Sequence, residues 1–343
     1  MDGKMRPNIV LIGHGYWGKN IARNLYQMGI LHGVCDLNEK TLQEVHVLYP
    51  KIRLYQSLSG ILADEDVEGV AITTQAWTHP ELSIQALNAG KDVFVEKPLA
   101  LSYEAGQRVV DTAERTGNIL MVGHLLEYHP AVLRLIELVR NGILGKLEYI
   151  YSNRLNLGKF RREENILWSF APHDIAIILR LMDESPIEVI ATGGAYLQPN
   201  VADTTVTNLL FDNGVRAHIF VSWLHPYKEQ RLVVVGSKKM AVFDDRAASG
   251  EKLVVYDKGA DWIDNLPVPR QGDGTPVSYD GVEPLRREME HFVECMATRQ
   301  QPRTDGRSGL RVLQVLQAAQ QSLQMGGSRV PLWQAPHLQL ATL

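Results

Sequence analysis

Short apolar runs alternate with amphipathic segments over about the first 120 residues of the chain. Each run has the length of a buried strand, and each amphipathic segment has the spacing of a helix. The runs occupy residues 8–12, 31–35, 69–73, 92–95 and 119–122. Continuous apolar strands that alternate with helices are typical of a parallel sheet covered on both faces. We therefore expect an N-terminal α/β domain with a doubly wound parallel sheet.

The pattern changes in the second part of the chain. After helices at about 130–141 and 173–182, apolar and polar residues alternate in several segments, which indicates a mainly antiparallel open sheet with one exposed face. Its expected strands are 186–197, 203–211, 215–223, 230–236, 239–245 and 251–256. Segment 257–281 is rich in Gly, Pro and Asp and is expected to be a surface loop. Helices at about 284–298 and 306–325 close the chain.

The change of pattern predicts two domains, residues 1–125 and residues 126–343. The second should be an α/β domain with a large open sheet, and the last helices could pack back on the first domain. A chain of 343 residues is long enough for two cores of this kind.

Composition excludes several classes of partner. The formal net charge of −4 gives no basic surface for nucleic acid and argues against an anionic membrane as partner. Only Cys35 and Cys295 are present, so neither a disulfide framework nor a zinc site is expected. Residues 1–7 lead straight into a strand without a signal peptide, and we expect a cytoplasmic protein.

A glycine motif follows the first strand and opens the first helix. Gly13, Gly15 and Gly18 fit the spacing G-x-G-x-x-G, in which backbone amides and a helix N-terminus bind a pyrophosphate. Asp36 ends the next strand, where a carboxylate binds the ribose 2′-hydroxyl and disfavours a 2′-phosphate. The motif predicts an NAD site that includes Tyr16 and Trp17. The alternative is a helix-capping aspartate in a domain without cofactor.

Polar residues follow the strand at 69–73, at the sheet edge where open α/β sheets bind ligands. Thr73, Thr74, Trp77 and His79 are candidates for the nicotinamide half of the site. The threonines and the histidine before Pro80 could equally be helix-capping residues.

The tripeptide Glu96-Lys97-Pro98 ends the apolar run at 92–95. Alone it would be a solvated turn, but beside a cofactor its lysine can orient a substrate hydroxyl and help to move its proton. Lys97 is therefore a candidate catalytic residue, and Glu96 is a candidate neighbour of the cofactor.

The glycine motif, the His79 loop and the E-K-P tripeptide, in this order, resemble the Gfo/Idh/MocA family of NAD(P)-dependent sugar oxidoreductases. The resemblance covers almost the whole chain. It implies that Lys97 lies beside the nicotinamide and the substrate, with a proline that is commonly cis in this family. It also implies a dimer or tetramer formed through the open sheet.

The family's second signature is a D-x-x-x-H helix. Here His173 matches the histidine and Ser169 stands where the aspartate is usual. The resemblance therefore implies that Lys97 and His173 are the acid–base candidates, without a Lys-Asp-His relay. An imidazole with a pKa near 6.5 suits this chemistry. The alternative is a histidine bonded to backbone at a helix N-terminus.

A basic segment precedes that helix, with three arginines and a lysine between residues 154 and 162. It suits an anionic substrate such as a nucleotide diphosphate, because guanidinium groups bind phosphate in a bidentate manner. A solvated loop balanced by Glu163 and Glu164 is the alternative. The substrate-binding candidates are Lys97, Arg154, Asn156, Lys159, Arg161, Asn165, Trp168 and His173.

The string from Arg154 to Asp174 resembles the branch of the family that acts on UDP-N-acetylglucosamine. That branch oxidises the sugar 3-hydroxyl to a 3-keto sugar, which an aminotransferase converts to a 3-amino sugar of the lipopolysaccharide or lipid A kind. A dehydrogenase of a free polyol, such as an inositol, and a non-catalytic NAD-binding regulator are the alternatives. His124 and His129 have no further ligands at suitable spacing, so no metal is expected.

Overall fold

A computed structural model describes residues 6–158, 160–162 and 164–332 of the protein. The chain divides into two compact units. The first is formed by the described residues of Met1–His129 and Val282–Leu313, and the second by those of Pro130–Gly281 and Gln314–Leu343.

Strands and helices are numbered in chain order. The strands are β1 Ile9–Ile12, β2 Leu31–Cys35, β3 Arg53–Tyr55, β4 Gly69–Ile72, β5 Asp92–Glu96, β6 Leu120–Gly123, β7 Leu147–Leu155, β8 Glu188–Gly194, β9 Thr204–Leu210, β10 Arg216–Ser222, β11 Glu229–Gly236, β12 Met240–Asp244, β13 Leu253–Tyr256, β14 Gly259–Ile263, β15 Leu266–Arg270, β16 Gly274–Pro276 and β17 Val330–Pro331. The helices are α1 Gly18–Gln27, α2 Glu39–Leu48, α3 Leu58–Leu62, α4 His79–Asn88, α5 Tyr103–Thr116, α6 Pro130–Arg140, α7 Ile166–Met182, α8 Pro284–Thr298 and α9 Gly306–Gln324. Short 3₁₀ turns lie at Ala76–Thr78 and Leu125–Tyr128.

The first unit is built on a six-stranded sheet in the order β3-β2-β1-β4-β5-β6, with all neighbours parallel. The strand order reverses between β1 and β4, and there the carboxyl ends of two neighbouring strands diverge into separate loops. All residues of β1, β4 and β5 are buried, as their continuous apolar runs require. The predicted doubly wound α/β sheet is confirmed.

Helix α8 belongs to the first unit, the arrangement that the sequence prediction left open for the last helices. Phe292 of α8 contacts Phe94 of β5, with ring centroids 6.0 Å apart. Arg299, which ends α8, makes two hydrogen bonds of 2.6 and 3.0 Å to the buried carboxylate of Asp92. The apolar face of α8 thus completes the core of the parallel sheet.

The second unit contains a nine-stranded sheet in the order β16-β13-β12-β11-β7-β10-β9-β8-β17. Its neighbours are antiparallel except β7 and β10, so the predicted mainly antiparallel sheet is confirmed. Helix α7 packs on one face through β7, β9 and β10. The turn at Asp212-Asn213-Gly214 joins β9 to β10, and Gly214 takes a positive φ of 92°.

Three elements differ from the sequence prediction. Strand β7 lies at the centre of the sheet, where no strand was expected. Helix α7 begins at Ile166 rather than near residue 173, because Asn165 caps its first turn. The predicted loop at 257–281 contains the hairpin β14–β15, whose turn residues Asp264 and Asn265 both have positive φ. Among the described residues, no helix is both long and apolar enough to cross a bilayer.

We expect Arg299→Met to lower the free energy of unfolding by about 1–3 kcal/mol, because Asp92 would keep a buried carboxylate without its two charged hydrogen bonds. Urea titration followed by circular dichroism measures the change. Arg307→Met is the control, since its ion pair with Glu114 is largely exposed, and an equal loss in both variants would contradict the assignment.

Candidate active site

The glycine loop that joins β1 to α1 has the geometry of a pyrophosphate site. A Cβ on Gly18 would lie 2.2 Å from the Gly13 carbonyl oxygen, and Gly13 has a positive φ of 91°. Both positions therefore require glycine. A Cβ on Gly15 would meet no protein atom within 4 Å. Gly15 is thus the place in this loop where a ligand can approach the backbone closely, at the N-terminus of α1.

Asp36 closes the same site from the end of β2. Its carboxylate accepts hydrogen bonds from the backbone amides of His14 and Asn38, each at 2.9 Å. These two bonds fix the carboxylate beside the glycine loop. The arrangement fits the ribose of NAD, because a carboxylate oxygen keeps further acceptor sites for hydroxyl groups.

The loop after β4 is locked to its neighbours by side chains that were predicted to bind cofactor. Thr73 donates its hydroxyl proton to the Gly13 carbonyl at 2.5 Å. The Thr78 hydroxyl donates its proton to the Gln75 carbonyl. The Thr74 hydroxyl, 2.6 Å from the Thr78 hydroxyl, therefore donates to the Thr78 oxygen. The hydroxyls of Thr73 and Thr74 therefore hold the loop in shape.

His79 is buried, with only 1% of its surface exposed. Its Nδ1 lies 2.8 Å from the Pro98 carbonyl oxygen, and its Nε2 lies 3.1 Å from the Thr74 carbonyl oxygen. Burial is the main cause that lowers the His79 pKa, whereas the contacts with the Pro98 and Thr74 carbonyls act in the opposite direction. The structure thus makes His79 a brace between two loops instead of an exposed cofactor ligand.

Glu96 and the following residues form the centre of the site. The indole Nε1–H of Trp17 donates to the Glu96 carboxylate, and the Lys97 backbone amide donates to it at 3.2 Å. Burial raises the pKa of Glu96 to about 7, although Lys97 and Trp17 act in the opposite direction. The Lys97–Pro98 peptide bond is cis, as the resemblance implied.

Exposure separates the predicted cofactor residues into two groups. Tyr16 and Trp77 are largely exposed, at 90% and 65%, and remain available to a ligand. The Trp17 indole and the His79 ring are used within the protein. The backbone at Gly13, Gly15 and Gly18 and the Asp36 carboxylate complete the surface that would hold NAD.

In the second unit, the guanidinium of Arg154, a predicted substrate contact, is paired with a carboxylate of the protein. Its guanidinium makes hydrogen bonds of 2.7 and 3.0 Å to both carboxylate oxygens of Asp174, and both side chains are buried. Ser152 donates a third hydrogen bond to Asp174 at 2.6 Å. This group joins β7 to α7. Buried charges require such pairing, and it leaves Arg154 engaged with protein.

Asn165 and Trp168 are also engaged within the second unit. The Asn165 side-chain oxygen accepts from the Trp168 amide at 3.3 Å and caps α7. The Asn165 amide group and the Trp168 indole both donate to the Gln320 side-chain oxygen, at 2.7 and 3.2 Å. Their contacts therefore position the N-terminus of α7.

The remaining substrate candidates lie on or before α7. Ser169 and His173 are four residues apart and share one face of the helix; Ser169 is buried and His173 is half-buried. Asn156 is half-buried just after β7. Arg161 is exposed, with its Nε 3.6 Å from a Glu164 carboxylate oxygen. Lys159 lies outside the described residues.

The sequence analysis missed a cavity in the second unit. It has a volume of about 640 Å³ and is lined by Phe160, Arg162, Leu197 and Gln198. The Gln198 amide donates to the Arg161 carbonyl at 3.0 Å, which joins its two loops. Its lining combines an aromatic ring, a guanidinium and an amide. Arg162 belongs to the basic segment recognised in the sequence. Leu197 and Gln198, which complete the lining, lie about 35 residues further along the chain, so no local pattern joins them to Arg162.

A group with metal-binding side chains does occur elsewhere among the described residues, formed by His32, Asp64 and Asp66. Arg53 already binds both carboxylates, at 2.5 and 2.8 Å. Both carboxylates of this group are therefore already paired with a guanidinium.

Together, the strand order, the glycine loop and Asp36 define the first unit as a dinucleotide-binding Rossmann domain. Residues 7–124 match the family model described as oxidoreductase family, NAD-binding Rossmann fold. Residues 132–242 match the Gfo/Idh/MocA C-terminal domain. The chain belongs to the Gfo/Idh/MocA family of NAD-binding oxidoreductases, which confirms the resemblance, the cofactor and the enzyme class.

Curated relatives align along nearly the full chain. A UDP-N-acetylglucosamine 3-dehydrogenase of Acidithiobacillus ferrooxidans is 28% identical over 90% of this chain and 94% of its own length. A myo-inositol 2-dehydrogenase of Thermotoga maritima is 27% identical over 92% of this chain and 96% of its own length. The solved structure of the Acidithiobacillus enzyme GnnA superposes with a TM-score of 0.81 at 24% identity, covering 93% of this chain and 98% of that chain. This structural likeness shows the shared fold.

We expect Gly15→Ala to weaken NAD binding at least about tenfold while leaving thermal stability unchanged, because the added methyl group meets no protein atom but occupies the space at the pyrophosphate. Isothermal titration with NAD and a thermal melt measure the two effects. Gly281→Ala is the matched control, since that glycine also has open space and no positive φ. Unchanged NAD affinity in Gly15→Ala would contradict the site.

Proposed function

We propose that the protein oxidises the 3-hydroxyl of a nucleotide-linked sugar, UDP-N-acetylglucosamine, to the 3-keto form with NAD as hydride acceptor. The observation that carries this proposal is the alignment with a UDP-N-acetylglucosamine 3-dehydrogenase over nine-tenths of both chains. The nicotinamide ring supplies the redox chemistry by accepting the hydride from the carbinol carbon. The protein has to bind the substrate, align it and take the hydroxyl proton.

Lys97 is the proposed proton-handling group of the first unit. Its peptide is held on both sides, by the Trp17 bond to Glu96 and by the His79 contact with Pro98. In this proposal the neutral Lys97 amine takes the hydroxyl proton and becomes an ammonium group as the hydride leaves the carbinol carbon. Burial raises the pKa of neighbouring Glu96 to about 7, and the charge of Lys97 acts in the opposite direction.

His173 is the proposed acid–base group of the second unit. Asp174, the nearest carboxylate in sequence, is occupied by Arg154 and Ser152 and does not replace the aspartate missing at Ser169. In this proposal the second unit binds the substrate. Arg161, Asn156 and Lys159 are kept as substrate contacts from the sequence prediction.

The cavity beside Phe160 is the proposed nucleotide subsite. Its volume falls within the range of small-molecule pockets. An aromatic ring can stack on a base, the Gln198 amide can bond a base edge, and the Arg162 guanidinium can bind a phosphate. This use replaces the predicted role of Arg154, which is paired with Asp174.

A free polyol is the second candidate substrate, because the Thermotoga inositol 2-dehydrogenase aligns over a comparable share of the chain. Such a substrate would share the Lys97 chemistry but would not need the cavity at Arg162. The two candidates are therefore separable by the contribution of the UDP group.

We further propose a cytoplasmic homodimer or homotetramer whose product feeds an aminotransferase, as in the formation of a 3-amino sugar for lipopolysaccharide or lipid A. Cys35 and Cys295 are free, buried thiols, which suits a reducing compartment. One sheet face carries the half-buried rings of Tyr149, Tyr151 and His218, and the Tyr151 and His218 rings stack at 5.4 Å. This aromatic face supports a contact between subunits.

We expect Lys97→Met to retain NAD binding and to lose at least about a hundredfold in kcat, because the variant keeps the shape of the loop but has no group to take the proton. Stopped-flow or steady-state NADH absorbance measures kcat, and titration measures NAD affinity. Lys51→Met, on an exposed lysine, is the control. Full turnover in Lys97→Met would exclude the assignment.

We expect NADH formation with UDP-N-acetylglucosamine and at least about a hundredfold lower kcat/KM with free N-acetylglucosamine or an inositol. An added aminotransferase removes the keto product so that oxidation can proceed. Arg162→Met should raise KM for the UDP-sugar about tenfold, since one charged phosphate contact is lost, while Arg140→Met, an exposed arginine of α6, should leave KM unchanged. Faster turnover of the free polyol would favour the second candidate.

A further inference from the structure

A second carboxyl group lies behind Glu96 in the core of the first unit. Phe94 and Glu96 are two residues apart on β5 and project from one face of the sheet. Gly123 of β6 lies beneath both, since a Cβ there would be 3.0 Å from the Glu96 Cδ and 3.0 Å from the Phe94 ring. This face is covered by α8 through the contact of Phe94 with Phe292.

Glu288 precedes Phe292 by about one turn of α8 and lies on the same buried helix face. It is fully buried, at 0% exposure, among the apolar residues Leu285, Met289 and Phe292. Neither of its carboxylate oxygens has a hydrogen-bond partner in the described part of the chain. An ionised carboxylate in such a place carries a large desolvation cost, whereas the neutral acid does not.

The charges around Glu288 also favour its neutral form. Glu96 on β5 and Glu127 on the 3₁₀ turn both act on it as negative neighbours. Lys97, the residue that follows β5, is a cation that acts on Glu96. Arg303, from the segment after α8, lies over the Tyr128 ring at 5.1 Å and donates to the Glu127 carbonyl. Burial and the two carboxylates together raise the pKa of Glu288 well above its ordinary value.

We propose that Glu288 is kept as a neutral carboxylic acid behind Glu96, and that it acts through Glu96 as a positioning residue that sets the basicity of Lys97. Within the pair, Glu96 receives hydrogen bonds from Trp17 and from the Lys97 amide, and Glu288 receives none. The shared proton therefore resides on Glu288, and Glu96 keeps the negative charge that holds its two donors. The consequence for Lys97 rests on the proposed function, but the protonation of Glu288 does not.

This arrangement limits the negative charge beside Lys97. If both carboxyl groups were ionised, the second anion would raise the Lys97 pKa; if the repulsion instead protonated Glu96, the carboxylate that accepts from Trp17 and the Lys97 amide would be lost. With Glu288 neutral, Lys97 feels one carboxylate. Glu96 and Glu288 titrate as one coupled pair. In this proposal the second negative charge of the pair forms at alkaline pH, when Glu288 ionises.

The direct test is infrared spectroscopy of wild-type protein and of Glu288→Gln at neutral pH. We expect the wild type to show a carbonyl-stretch band of a protonated carboxylic acid that is absent from Glu288→Gln. Glu290→Gln is the matched control, because Glu290 lies on the same helix but is exposed and paired with Arg286. A band that is equal in all three proteins, or absent from the wild type, overturns the proposal.

Thermal unfolding gives a second test that needs no substrate. Because the folded pKa of Glu288 is raised, the folded state binds more protons than the unfolded state above about pH 4.5, and wild-type stability falls as the pH rises. The Tm of Glu288→Gln minus that of wild type should therefore increase by about 2 °C or more between about pH 5 and about pH 8. Glu288→Met is a second neutral variant, in case the amide is poorly accommodated. A Tm difference that falls with pH in both variants overturns the proposal.

The effect on Lys97 is measured by its acetylation rate against pH, read by mass spectrometry. Removing an acid that ionises at alkaline pH should move the Lys97 titration to lower pH by up to about one unit in Glu288→Gln, and not in Glu290→Gln. An unchanged titration overturns the coupling to Lys97. Since this readout uses no sugar, it holds or fails independently of the proposed dehydrogenase activity.

Discussion

The hydrogen bond from the Trp17 indole to the buried Glu96 carboxylate is the contact on which the first unit depends. It joins the glycine loop after β1 to the end of β5, so the backbone that would bind the pyrophosphate and the lysine that would move a proton form one framework. Glu96 gains from this donor because burial disfavours its ionised form and the Trp17 bond favours it. Gly123 is needed for the same reason, since any larger residue would displace the Glu96 carboxyl group.

The second unit handles a buried carboxylate differently. Asp174 receives two bonds from Arg154 and one from Ser152, so its charge is balanced within the β7–α7 packing. Glu96 is only partly balanced, and Glu288 is not balanced at all. Full pairing gives a fixed structural charge, whereas partial pairing gives groups whose protonation changes near neutral pH. Structural and reactive carboxylates are therefore distinguishable by their donors alone.

Much of the fold could be predicted because it follows from local patterns. The apolar runs at β1, β4 and β5 and the spacing from Gly13 to Gly18 each depend on neighbouring residues only. Strand β7 was missed because its alternating, tyrosine-rich sequence is central only through pairing with β10 and β11, more than 60 residues away. The pairing of Arg154 with Asp174 was missed because the two residues lie 20 positions apart in the chain. Such pairing is set by tertiary contacts, which no local pattern contains.

The burial of Glu288 could have been predicted from the spacing of apolar residues in α8, although its charge suggests an exposed position. The string Glu288-Met289-Glu290 resembles a solvated helix face, yet Leu285, Met289 and Phe292 recur at helical spacing and place position 288 on the apolar side. Helical phase, not residue type, thus distinguishes Glu288 from Glu290 two residues later. Ser169 stands where the aspartate is usual and Asp174 is fixed by Arg154, so groups around Lys97, as well as at His173, are candidates to tune the proposed chemistry. A buried acid on α8, brought beside β5 by the Phe94–Phe292 contact, is a physical means of doing so.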